Sequence, residues 1–78
     1  MTHIATFFSH FGAMRFKKMC DGAGIPAALM PVPRDLSSSC GTCVRFEGAC
    51  PAAISDEVEQ IVEMTLAGHV TRYRAKDS

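Results

Sequence analysis

Apolar residues along this chain fall into short runs separated by two stretches with helical spacing. Ile4-Ala5-Thr6-Phe7-Phe8 is rich in β-branched and aromatic side chains and apolar on both faces, the pattern of a central strand in a covered sheet. Ser9 then caps a helix in which Ala13, Phe16, Met19, Cys20 and Ala23 form one apolar stripe, while Arg15, Lys17, Lys18 and Asp21 fall elsewhere. Gly22 to Gly24 stops it. Ala27 to Val32 reads as a second strand. Its Pro31, with Pro33 just beyond, removes two backbone donors and confines it to a sheet edge. Thr42, Val44 and Phe46 alternate with Cys43 and Arg45 as a half-covered third strand, closed by Gly48 to Pro51. A second helix is expected from Pro51 to Ser55 onward, with Asp56 and Glu57 in its first turn, Ile54, Val58, Ile61, Thr65 and Leu66 as its buried stripe, and Gly68 as its end. Val70 to Arg74 supplies a last short strand.

The resulting order is βαββαβ, an α+β, ferredoxin-like two-layer sandwich: a four-stranded antiparallel sheet with two helices on one face. That topology places the Ser9-His10-Phe11-Gly12 turn, the start of the first helix, the Pro33 to Thr42 loop and the Gly68-His69 turn at one end of the sheet, and Cys50 at the other. An uncovered face of the sheet, left partly apolar by Phe7 or Phe8 with Cys43 and Arg45, points to a partner protein or a homodimer.

Residues 1–78 suffice for a single domain that buries about 60% of its unfolded surface, too little for a deep substrate cleft. Eight basic and eight acidic side chains cancel, so no electrostatic footprint for nucleic acid or a membrane surface exists. The first residues lack the basic flank and the length of a signal peptide or membrane span. The expected compartment is therefore the cytoplasm, where the four cysteines are mostly reduced.

Candidate chemistry concentrates in Pro33-Arg34-Asp35-Leu36-Ser37-Ser38-Ser39-Cys40-Gly41-Thr42-Cys43, a polar loop with a thiol flanked by glycine. A cysteine beside glycine in an exposed loop is approachable by a large partner, whereas one on an apolar helical stripe, such as Cys20, is packing. Only about 3% of an unperturbed thiol is thiolate at neutral pH, and a cation within about 4 to 6 Å would raise that fraction. Arg34, His10 and His69 are the candidate neighbours. Cys40 and Cys43 have redox-motif spacing, but the pair leads into a strand rather than a helix. Extended geometry holds the two about 10 Å apart unless Gly41-Thr42 turns tightly. Zinc on Cys40, Cys43, His10 and His69 has the right ligand types but no second paired motif, and no metal or cofactor is expected.

The runs Phe7-Phe8-Ser9-His10, Gly24-Ile25-Pro26, Pro31-Val32-Pro33-Arg34 and Ser37-Ser38-Ser39-Cys40-Gly41 resemble the small bacterial family of putative selenium/sulfur carrier-like proteins. The proline-arginine pair followed six residues later by cysteine-glycine is the most specific part of the resemblance. It implies Cys40 as a reactive thiol carrying sulfur or selenium as a persulfide-type adduct, with no turnover of its own. Its implied partners are sulfurtransferase or cysteine desulfurase-like proteins. A regulatory or interaction module, and less directly a redox or metal-handling domain, remain the competing classes.

Overall fold

The computed structural model describes residues 1–49 and 54–75. Among these, the elements are β1 (Thr2–Phe7), α1 (His10–Gly22), β2 (Ala27–Pro31), β3 (Thr42–Glu47), β4 (Val58–Thr65) and β5 (Gly68–Arg74). All five strands join one sheet in the order β2-β3-β1-β4-β5, and each neighbouring pair is antiparallel.

β1 is the central strand, and Ile4, Ala5, Thr6 and Phe7 are buried on both of its faces. β2 is an edge strand, paired only to β3, as Pro31 requires of a residue with no N–H to donate. α1 begins at Ser9, whose extended backbone and hydroxyl acceptor at 3.2 Å satisfy the free N–H of Gly12. Gly12 lets this first turn press close to the chain entering β4: a Cβ there would meet that of Glu57 at 2.8 Å. The helix buries Gly12, Ala13, Phe16 and Cys20 against Ala5, Phe7, Val44, Phe46, Val58 and Ile61. Phe16 bridges Phe7 and Phe46 with ring centroids 5.3 Å apart in each pair and tilted planes, the favoured aromatic geometry. Met19 and Ala23, expected on this stripe, are exposed.

The expected second helix is not formed, which overturns the two-helix, four-stranded ferredoxin-like arrangement. Residues 58–65 form β4, and the described architecture has five strands and a single helix. The physical reason is a β-bulge. Thr6 pairs with Gln60 but Phe7 pairs with Val58, so Glu59 is an extra residue and Val58 and Ile61, three apart, lie on the same face. That spacing imitates a helical stripe. Of the other members of the expected stripe, Ile54 packs against the same core from before β4, but Thr65 is exposed beside the β4–β5 turn and Leu66 within the turn is fully exposed. The expected start of that helix at Pro51 and the placement of Cys50 lie outside the described residues.

The face opposite α1 is not open. Residues 32–41 leave the sheet at β2, cross that face and return to β3, and Val32 N–H donates to Gly41 O (3.1 Å) to close the neck of a compact Ω-type loop. A turn from Pro33 to Leu36 (N···O 3.0 Å) aims Leu36 at the sheet, where it covers Ile4, Cys43 and Val62. The apolar centre expected to await a partner is thus filled by the chain itself, although Phe8 stays exposed.

Candidate functional site

The loop is held down along its length. Gln60 Nε2 donates to Ser37 O (3.1 Å), Ser38 Oγ to Phe7 O (3.2 Å), and Ser39 donates both its amide (3.1 Å) and its hydroxyl (2.8 Å) to the Glu59 carboxylate. Glu59 is the bulge residue, so the irregularity that disguised β4 also turns a carboxylate toward the loop. Burial works to raise the pKa of Glu59, but hydrogen bonds from Ser39, Ser38 and Thr6 outweigh it and hold the carboxyl below its usual range. A depressed folded-state pKa stabilises the fold above the unfolded value of about 4.3 and ceases to do so as pH falls through the folded value. The urea midpoint of Glu59→Gln should accordingly lie below that of the native protein at pH 7, and the gap should close as pH drops below about 4. A gap that stays constant with pH would count against the carboxylate as the loop's anchor.

Cys40 follows these anchors at the end where α1 begins. Its amide donates to Ser38 Oγ (3.3 Å), its thiol donates to Thr42 O (3.3 Å), and its half-buried side chain rests on the helix-side core. His10, on the first turn of α1, reaches the same strand start, with Nδ1 3.1 Å from Thr42 Oγ1. Thr42 therefore ties the thiol and the imidazole to one residue. Sequence reasoning passed over it because its role depends on where β3 begins.

The other expected neighbours are dispersed. His69 Nε2 lies 3.5 Å from Asp35 Oδ2, near the far end of the sheet. Because residues 58–65 form a strand and not a helix, the chain reverses before β5, and the Gly68-His69 turn lies opposite the end expected for it. Arg34 is exposed and makes no hydrogen bond or ion pair with any described residue. Gly41 contributes its carbonyl to the loop neck. A Cβ on it would meet nothing within 4 Å outside its chain neighbours, and its backbone is not left-handed, so the loop is open to solvent at Gly41.

Cys43 is a different kind of thiol. It points to the loop side of the sheet, fully buried with Ile4, Leu36 and Val62, and its nearest polar partner is Pro31 O at 3.7 Å. Burial first, and the neighbouring Cys40 second, push its pKa up to about 11. Cys40 and Cys43 are both free and pack on opposite faces, so they are not paired as a dithiol here. The same separation, with His69 on Asp35, keeps Cys40, Cys43, His10 and His69 from converging. No group of three or more metal-ligating side chains is assembled among the described residues. Cys20 is fully buried in α1, and burial and then Asp21 raise its pKa. The signal for the loop's docking was present in the sequence: Leu36 is the one apolar side chain between Arg34 and Gly41 apart from Cys40 itself.

Residues 2–65 match the model of the family described as "Putative Se/S carrier protein-like". The chain belongs to this family. The match spans β1 to the end of β4 and so contains α1, the Ω loop and Cys40, in keeping with the resemblance carried by Ser37 to Gly41. No curated protein and no solved structure matches the chain. No described helix is long and apolar enough to cross a membrane.

Proposed function

We propose that the protein carries sulfur or selenium as a covalent adduct on Cys40 and hands it between protein partners, without turnover of its own. The observation that supports this reading is the contrast among the described thiols: Cys20 and Cys43 are fully buried, whereas Cys40 sits in a half-exposed loop with open space at Gly41. A thiol must be reachable to act as a nucleophile. In the loading step the Cys40 thiolate attacks the outer sulfur of a donor persulfide. A new S–S bond forms on Cys40, the donor's S–S bond breaks, and the donor leaves as a thiolate. The donors that fit are sulfurtransferase or cysteine desulfurase-like proteins, which present such a sulfur on a cysteine of their own. His10, tethered through Thr42, is the base within the site that takes up the thiol proton, and the cytoplasm is the compartment that keeps the free thiol reduced.

The test is mass spectrometry of the folded protein treated with inorganic polysulfide. One sulfur should be added, located on Cys40 by peptide mapping, and Cys40→Ser should abolish it while costing no more than about 1 kcal/mol of stability in urea, since the side chain is only half-buried. Sulfur appearing equally on Cys20 or Cys43, or persisting in Cys40→Ser, would remove the basis for the proposal.

A further inference from the structure

We infer that Cys43 is a latent resolving thiol, kept from the sulfur carried on Cys40 by the Ω loop that Leu36 pins to the sheet, and that lifting the loop discharges the carrier. The inference rests on the carrier reading of Cys40 and concerns how the cargo is kept and released.

Two thiols three residues apart in one chain are the usual partners of an internal disulfide when a turn brings them together, yet here strand geometry holds them on opposite faces. What fixes Cys43 is local. It is the last residue of β3 paired to β1, opposite Thr6, and only Thr42 precedes it in the strand. On the other side Thr42 faces Pro31, and the bond from Val32 N–H to Gly41 O closes the β2–β3 ladder just beyond, so releasing the thiol goes with opening the neck of the loop. Fraying Thr42 and Cys43 alone frees the side chain, and Gly41 lets the chain turn back on Cys40. The main restraint is then the loop: Leu36 over Ile4, Cys43 and Val62, with the Glu59, Gln60 and Phe7 hydrogen bonds holding Ser37 to Ser39 in place. Leu36 and Gln60 are buried, but the bonds that hold Ser38 and Ser39 are exposed or half-buried, and such segments open locally at less cost than the strands beneath them.

Once freed, Cys43 meets water and its thiolate becomes accessible. It attacks the inner sulfur of the Cys40 adduct. A Cys40–Cys43 S–S bond forms, the bond to the outer sulfur breaks, and that sulfur leaves as hydrosulfide (or as hydroselenide from a selenium adduct). The sulfane atom is reduced to sulfide, the two cysteine sulfurs end as a disulfide, and no outside oxidant takes part. A docked loop therefore keeps the cargo, and a partner that lifts the loop receives it as a small anion.

The experiment loads the folded native protein, Leu36→Ala, Glu59→Gln and Leu36→Ala/Cys43→Ser with inorganic polysulfide, removes the excess anaerobically, and follows sulfide release and the Cys40–Cys43 disulfide by mass spectrometry. Truncating Leu36 should raise the open population roughly thirtyfold, about 2 kcal/mol at 1.4 per tenfold, and speed sulfide release by a similar factor with matching disulfide. Glu59→Gln, which leaves the apolar cluster intact, should act in the same direction more weakly and carries the test if Leu36→Ala does not fold. Cys43→Ser should block the release. The inference is overturned if loaded Leu36→Ala or Glu59→Gln keeps its sulfur, if it loses sulfide without forming the disulfide, if Cys43→Ser leaves release unchanged, or if the native protein discharges as fast as the variants. Failure of the native protein to load is a separate result: it removes the carrier reading, and this inference with it.

Discussion

Phe46→Ala should lower stability by about 3 to 5 kcal/mol, the usual cost of emptying a large aromatic site in a core. Phe46 is 1% exposed and stands where three elements meet. Its ring lies against Phe16 of α1 at 5.3 Å and is stacked on the buried His3 of β1 at 5.2 Å, and its backbone pairs with both β1 and β2. Truncation leaves a void beneath the only described helix and removes the partner of an imidazole that is itself 2% exposed. A chain of this length has about 4 to 12 kcal/mol of stability in all, at roughly 0.05 to 0.15 per residue, so the loss removes much of what holds it folded. Thermal unfolding followed by circular dichroism should show a midpoint at least about 12 °C lower, at 4 to 8 °C per kcal/mol for a domain of this size. Phe46→Leu, which keeps most of the apolar volume, should recover a large part of that. A loss under about 1 kcal/mol for Phe46→Ala would mean that α1 does not dock on β3 as described.

Val62→Asp should be comparably damaging, and Leu66→Asp nearly silent. A helical reading of residues 54–66 predicts the reverse, since it leaves Val62 off the apolar stripe and puts Leu66 on it. In the strand, Val62 is fully buried beneath Leu36 and beside Ile4 and Cys43, with no cation in that cluster to receive a carboxylate. An uncompensated buried charge costs about 3 to 5 kcal/mol, or protonates to escape part of it. Leu66 is fully exposed in the β4–β5 turn, and a surface change there should stay within about 0.5 kcal/mol. Paired urea titrations of the two variants decide between the readings. Val62→Asp should also loosen the loop and make Cys43 available to a thiol reagent, because the same side chain supports both.

Much of the first half of the fold is legible in the residues. A double-sided apolar run predicted β1 as a central strand. Ser9 and the glycines after Asp21 bracketed α1, and Pro31 pushed β2 to an edge, because capping and the loss of a backbone donor act over a few residues wherever the chain goes. The short runs from Phe7 to Gly41, above all Pro33-Arg34 followed by Cys40-Gly41, led to the family in the same local way. The second half was not legible by spacing. Val58 and Ile61 satisfy a helical stripe and a bulged strand equally well, and only pairing with β1 and β5 decides which period applies.

That one decision reaches the candidate site. As a strand, residues 58–65 reverse the chain before β5, carry His69 away from Cys40, and turn Glu59 toward Ser39. The sequence by itself determined the elements up to β3 and the chemistry available: a glycine-flanked thiol in a polar loop, a helix start bearing His10, and a second thiol three residues on. Only the tertiary structure decided which of these meet. Contacts between Leu36 and Val62, or between His10 and Thr42, join residues far apart in the chain, and their free energy comes from burial and pairing that exist only once the sheet has formed.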